Sequence, residues 1–437
     1  MHVVLVHGYS VRSLETYGML PKLLEQSGYK QDSIFLSAFD SLSDEITCDD
    51  LAKALEMRVK RHLEKKIDIS KTALLCHSTG AIITRRWLLN RYKLGLPVPR
   101  TLITVAGANH GSTLAQLGMT QIAYVYRNVF QQTSVGRQVL EDLDYGSEFL
   151  LKLNKEWLEA FNSNSPPQTY CFSMIGDDHS ELSHQVFWQT KEWGSDGTVR
   201  VSSGNLNYRM LNVDLLDGNK QLEVHEFKTK VPNLVIPDWS HVGKKGIIDA
   251  LSNDSDPPFE AMKQALDVDT SEKYSQVQQE WEAKTLSWSQ ANQDHCCSTA
   301  VFSLHHPGGR HIEDCLILIR DNKESLETVG ASLCGHQPIQ NNLVKSSISF
   351  YLNQPKYALN SPHSLYIEVN SGTDEINYEI IDYPLPPKQA SLLKPNEFTY
   401  LSIVMARNPE GTFRLLSNDP NRDVKKKWPP LPEPDDD

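Results

Sequence analysis

Ser78, Asp196 and His241 are residues whose types, taken together, could carry out nucleophilic acyl chemistry. A serine hydroxyl is a weak nucleophile at neutral pH. It needs an adjacent base, a group that orients that base, and N–H donors aimed at the developing oxyanion. Ser78 lies in Leu74-Leu75-Cys76-His77-Ser78-Thr79-Gly80-Ala81, where an apolar run over 72–76 meets a helical stretch over 81–92. That order of strand, tight turn and helix can hold a serine on a strained elbow with its hydroxyl pushed out above a sheet. An ordinary helix-capping serine is the alternative. Asp196, in Ser195-Asp196-Gly197-Thr198-Val199, and His241, in Ser240-His241-Val242-Gly243, each follow a candidate strand. Asp177 and Asp178 remain alternatives for the acid, whereas Asp238 is too close to His241 and suits a turn. His7 and His77 suit loop bracing better than direct catalysis. One oxyanion donor is expected from the N–H of Thr79, at a helix start where amides are unpaired. The other is expected from Tyr9, with Ser10 as its alternative.

The elements that must position these groups alternate between strands and helices. Apolar runs over 2–6, 33–38, 72–76, 101–106, 169–175 and 233–236 read as strands of a parallel sheet buried on both faces. Between them, 14–27 and 49–65 carry leucines and a valine at helical spacing. After Ala106 the pattern changes: Leu114, Leu117, Ile122, Val125 and Val129 lie on one helical face with Arg127 the only charge up to Phe130. Such an insertion beside a candidate nucleophile is the usual place for a lid; an ordinary core helix is the other reading. A hairpin is expected over 208–227, turning at Asp217-Gly218. The polar stretch Ser252-Asn253-Asp254-Ser255-Asp256-Pro257-Pro258 marks a boundary. Beyond a helical segment over 259–292, seven short alternating runs (299–304, 315–320, 346–352, 364–369, 377–381, 399–405 and 412–416) suggest an antiparallel sandwich. The tail, basic then Pro-rich then acidic, is expected to be disordered.

With 437 residues, two domains are the better expectation. The formal net charge of -12 argues against an electrostatic grip on nucleic acid, so no nucleic-acid partner is expected. No apolar run is long enough for a membrane-spanning helix. The start, Met1-His2-Val3-Val4-Leu5-Val6, reads as a strand and not as a signal peptide. Seven scattered cysteines with no C-x-x-C pair indicate neither a zinc site nor a disulfide framework, which points to a cytoplasmic location or to export without a cleaved signal. His295, Cys296, His305, His306 and His311 fit no zinc spacing, and no metal or other cofactor is expected.

Together, Val3-Val4-Leu5-Val6-His7-Gly8, His77-Ser78-Thr79-Gly80, Asn109-His110-Gly111-Ser112, Ser195-Asp196-Gly197-Thr198-Val199 and Ser240-His241-Val242-Gly243 make residues 1–251 resemble the α/β-hydrolase superfamily, on its lipase and esterase side. Cys76 stands where the family's elbow normally has glycine, and the first motif opens the chain as in the short lipases. The resemblance implies Ser78 as nucleophile, His241 as base and Asp196 as orienting acid, preferred over Asp177 and Asp178 because Ser-Asp-Gly-x-Val fits the lipase pattern. The organisation then expected is an α/β-hydrolase domain over 1–251 with a mainly parallel sheet and a lid-like insertion. A linker and helical connection over 252–298, a β-sandwich over 299–424 and a tail over 425–437 complete it. His110, Leu114 and Leu117 are expected to line the substrate pocket. The expected activity is hydrolysis of carboxylic esters through an acyl-enzyme, on a lipid or acyl-ester substrate, with transient contact to a membrane or micelle. The same triad would serve an acyltransferase or a thioesterase. A binding protein dominated by its C-terminal part is a further alternative.

Overall fold

The computed structural model describes residues 1–7, 17–35, 44–116, 136–178, 192–214, 221–243, 245–312, 315–320, 339–340, 347–353, 364–369, 378, 381–384 and 393–406. In chain order the first strands are β1 (His2–His7), β2 (Lys30–Phe35), β3 (Thr72–His77), β4 (Thr101–Val105), β5 (Tyr170–Gly176), a hairpin of β6 (Tyr208–Asp214) and β7 (Gln221–Glu226), and β8 (Asn233–Ile236). Six of them form one sheet in the order β2-β1-β3-β4-β5-β8. Every pair in it is parallel. All residues of β3 and β4 are buried, as a sheet covered on both faces requires.

Successive side chains on these strands serve different cores. Val4, Val6, Leu74, Cys76 and Leu102 face one side, where α2 (Cys48–Arg58), α3 (Gly80–Lys93) and, two helices further on, α5 (Glu148–Asn162, after α4, Arg137–Leu143) supply Leu51, Leu55, Trp87, Leu88, Leu150 and Trp157. Val3, Leu5, Ala73, Leu75, Ile103 and Val105 face the other. This two-residue alternation is the strand period itself. The second face is covered by α1 (Leu20–Gln26) and by two helices from beyond residue 251. These are α8 (Pro257–Leu266) and α9 (Ser271–Ala291), which follow the short α6 (Val201–Gly204) and α7 (Ile247–Ala250). Phe259, Met262, Leu266, Val277 and Trp281 complete that core, and Trp281 stands edge-on to Phe172 at 5.5 Å. The stretch expected to be a linker and helical connection over 252–298 is helical, and its helices are a structural layer of the first sheet.

A second sheet takes the order β11-β12-β9-β15-β6-β7, and a third β10-β13-β14. Their strands are β9 (Cys297–His305), β10 (Cys315–Arg320), β11 (Ile339–Gln340), β12 (Ser347–Asn353), β13 (Ser364–Val369), β14 (Ile381–Pro384) and β15 (Phe398–Val404). Ala300, Phe302, Leu304, Phe350 and Ile403 of the second sheet share a core with Ile317 and Ile367 of the third, so the two form a sandwich. Two expectations change. The second sheet is mixed, because β15 runs parallel to both of its neighbours, and alternation alone carries no strand direction. The hairpin β6-β7 also joins this sheet, so strands from both sides of residue 251 are hydrogen-bonded together. The other face of the second sheet, through Val301, Tyr208, Phe398 and Tyr400, packs into the same core as α3 and α5.

The strand expected over 412–416, the tail, and nearly all of the insertion over 114–130 lie outside the described residues. Among the described residues no helix is long and apolar enough to cross a membrane. Cys297 is disulfide-bonded, a pairing that sequence spacing did not signal, while Cys48, Cys76, Cys171 and Cys296 are free thiols.

If α9 is structural to the first sheet, Trp281→Ala should remove about 3–5 kcal/mol of stability. Denaturant unfolding of the intact chain checks this; an unchanged midpoint would mean that α9 is an appendage.

Candidate active site

β3 ends at His77 and α3 begins at Gly80, which leaves two residues for the turn. Ser78 makes it with φ +56°, a left-handed conformation that costs a non-glycine residue about 1–3 kcal/mol. The surrounding backbone holds it there. The Ser78 N–H donates to the Val105 carbonyl at 3.2 Å, and the Ser78 carbonyl accepts from Ala81 at 3.0 Å and Ala108 at 3.3 Å. Cys76 packs beneath, donating its S–H to Thr84 Oγ1 at 3.2 Å. Burial pushes its thiol up to about 12, so Cys76 is inert packing.

His241 follows β8, on a loop pinned by close approach. A Cβ on Gly176 would lie 2.0 Å from the Trp239 carbonyl oxygen, so only glycine lets the end of β5 pass under this loop. Asp177 accepts the Asp238 N–H at 2.9 Å on one carboxylate oxygen. Its other oxygen accepts Trp288 Nε1–H at 2.7 Å and lies 3.3 Å from His295 Nδ1. Asp178 reaches Lys245 at 3.2 Å. These two carboxylates, the alternative acids, brace the histidine loop.

Asp196 is fully buried. One of its carboxylate oxygens accepts the N–H groups of Thr198 at 2.9 Å and Val199 at 2.7 Å, while the other meets His241 Nδ1 at 2.8 Å. The His241 backbone N–H also donates to the Asp196 carbonyl at 2.8 Å. On the far side of the ring, His241 Nε2 lies 3.0 Å from Ser78 Oγ. Asp196 thus holds the imidazole with Nδ1 protonated, which leaves Nε2 to accept the serine proton. The His77 ring lies beside that of His241, tilted by 34°, at 4.9 Å between centroids. Thr79 is buried at the N-terminus of α3, where the first amides have no partner within the helix.

The structure differs from the sequence reading at His110. It is fully buried, with Nε2 2.9 Å from the Asn205 carbonyl oxygen and Nδ1 3.2 Å from Tyr400 Oη, and it stacks on Phe398 at 4.9 Å. Burial and then nearby Arg85 hold its imidazole well below the ordinary histidine value. His110 is therefore a neutral strut between the loop after β4 and the second sheet, and it does not line a substrate pocket. Tyr9, Ser10 and Leu117 lie outside the described residues; the backbone of Leu114 sits in the short turn Thr113–Gln116.

Sequence reasoning missed the clamp on the acid loop. Arg200 and Glu192 form a buried two-point pair, Nε to Oε2 at 2.9 Å and Nη2 to Oε1 at 2.7 Å, with the guanidinium over the Tyr351 ring at 4.1 Å. Burial opposes the Arg200 charge, yet Glu192 beside it more than offsets that and raises its pKa. Tyr351, from β12, donates its hydroxyl to the carbonyls of Trp193 and, at 2.9 Å, Gly194. The partners lie across a loop and a second sheet, and no local motif announces them. Breaking a buried pair from one side leaves a bare charge, so Glu192→Ala should cost about 3–5 kcal/mol in a denaturant titration. A loss below about 1 kcal/mol, the level of an exposed ion pair, would contradict the clamp.

Residues 2–215 match the family model described as Lipase (class 2). No curated protein matches the chain by sequence. Among solved structures, phospholipase PlaB from Legionella pneumophila superposes with a TM-score of 0.81 at 23% identity, covering 97% of each chain. The same phospholipase in complex with thio-NAD superposes at 0.79 with 22% identity, covering 96% of this chain and 97% of that one. The likeness spans the parallel sheet and the sandwich together. The chain is an α/β-hydrolase of the lipase and esterase type, an ester-hydrolysing enzyme.

Proposed function

We propose that the chain is a lipolytic serine hydrolase that cleaves carboxylic esters of acyl lipids through an acyl-enzyme, with phospholipids among its substrates. The observation that carries this reading is the continuous relay Ser78 Oγ, His241, Asp196 at 3.0 and 2.8 Å on a strained elbow. In the first half, Ser78 Oγ attacks the ester carbonyl as His241 Nε2 takes its proton. The tetrahedral oxyanion points at the Thr79 N–H, and the sequence offers Tyr9 for the second donor. Collapse expels the alcohol, which receives the proton from His241. Water then repeats the sequence on the acyl-enzyme and releases the carboxylic acid. Asp196 stays ionised throughout and stabilises the imidazolium. Preference for lipid esters is supported by the class 2 lipase model over 2–215 and by the apolar insertion over 114–130. The phospholipid part rests on likeness to a phospholipase.

Ser78→Ala should abolish labelling by a fluorophosphonate probe and lower turnover of acyl esters by about 10⁶-fold or to background. Labelling that persists in this variant would sink the assignment. Asp196→Asn, which allows the wrong imidazole tautomer, should lower kcat by about 10⁴-fold with KM nearly unchanged. A comparable effect from Asp177→Asn, with Asp196→Asn silent, would move the acid to the rival position. Profiling the purified enzyme over acyl esters, phospholipids and thioesters reads the substrate preference.

A further inference from the structure

Away from Ser78, a groove of about 410 Å³ runs between α5 and the face of the second sheet that meets it. Its helical wall is Glu148, Leu151, Lys152 and Lys155, residues three and four apart that share one face of α5. Its sheet wall is graded by register. Tyr400 pairs with Met210 on one side and Val301 on the other, giving an apolar row at the base. One step along, Ser402 pairs with Asn212 and Ser303, a polar row. Then comes His305, whose ring lies 4.5 Å from that of His311, with Ser303 Oγ 2.9 Å from its Nε2. The sheet wall thus grades from apolar to polar to a pair of imidazoles, opposite a helical wall that carries two lysines.

The charge is unbalanced. Among the described residues, Lys152 and Lys155 are exposed and form no ion pair, and Glu148 is the only acidic group lining the groove. Burial, then His311 and His306, hold His305 below its ordinary value, as two imidazoles without a counter-anion would. In a chain of net charge -12, this concentration of basic groups beside an apolar floor is out of keeping with the average surface. The volume lies at the small end of ligand pockets, about 300–1,000 Å³, which suits one acyl chain better than two.

We infer that this groove binds a single-chain fatty acid, its chain against Tyr400, Met210, Val301 and Leu151 and its carboxylate among Lys152, Lys155, His305 and His311. The choice of a fatty acid rests on the proposed reaction, which releases one. The groove would then be a product site separate from the catalytic serine. Its floor residue, Tyr400, also accepts the Asn154 Nδ2–H at 2.7 Å and meets His110, so an occupant would press on the scaffold behind the loop after β4.

The test uses the full chain carrying Ser78→Ala and the fluorescent fatty acid 11-(dansylamino)undecanoic acid. Saturable binding is expected, weakened about tenfold or more by Lys152→Glu with Lys155→Glu, since two attractions become repulsions. The methyl ester of the probe, which lacks the charge, should bind at least about tenfold more weakly on the same grounds. In the wild-type background, the double lysine variant should turn over a short soluble ester as the parent does. Equal probe affinity in the double lysine variant, equal binding of the methyl ester, or no saturable binding would overturn the inference. Displacement of the probe by fluorophosphonate modification of Ser78 in the wild type would also overturn it, by placing the probe in the catalytic pocket. Because the binding assay uses a chain without its serine, its result stands apart from whether the proposed ester hydrolysis holds.

Discussion

The left-handed backbone of Ser78 is the constraint from which the rest of the site follows. A serine relaxes out of that conformation unless its neighbours over-determine it. Here β4 and the loop after it do so from one side, through the Val105 carbonyl and the Ala108 N–H, and the first turn of α3 does so from the other. The fully buried parallel strands make these partners rigid. Once the elbow is fixed, the positions of His241 and Asp196 are no longer free. The imidazole must reach Oγ from the end of β8, and the carboxylate must reach the imidazole from a loop anchored beside α6.

That second requirement explains why the sandwich is built into the enzyme. Among the described residues no strand of the parallel sheet holds the start of the acid loop, and β12 holds it through Tyr351, under the ring-stacked Arg200 and Glu192 pair. The loop after β4 is treated in the same way: His110 is gripped by Tyr400 of β15 and the carbonyl of Asn205. Both loops that flank the nucleophile are therefore set by residues from beyond residue 251. An accessory domain joined by a tether would leave the parallel sheet intact on its own, but α8 and α9 supply much of the cover on one of its faces.

What the sequence revealed and what it hid divide along the range of the interactions. Continuous apolar runs gave away β1, β3, β4, β5 and β8, because strands buried on both faces have little choice of residue. The serine elbow was legible because strand, turn and helix are contiguous, and Asp196 and His241 were legible because Ser-Asp-Gly-Thr-Val and Ser-His-Val-Gly are recognisable local settings. The pairing of β15 with β6 was hidden: alternation marks a strand without naming its neighbour or its direction. His110 was misread for the same reason. A histidine beside a nucleophile in the chain looks like a pocket residue, and only the distant Tyr400, Phe398 and Asn205 reveal it as interior.

Arg85 shows how far that interior coupling reaches. Its guanidinium is fully buried on α3, and its hydrogen-bond partners are uncharged: the Asn109 carbonyl at 2.9 Å and Asn154 Oδ1 at 2.8 Å. The Trp157 ring beneath it at 4.6 Å adds a cation–π contact. Burial alone lowers its pKa, and a buried cation held by dipoles is stable only while every dipole stays in place. Asn109 belongs to the loop behind Ser78, Asn154 to α5, and Asn154 in turn donates to Tyr400 of β15. One charge therefore ties the nucleophile's helix, the loop after β4, the wall of the basic groove and the second sheet into a single polar network. A shift in any of them leaves that charge under-solvated, which is why the elbow and the sandwich behave as parts of one core.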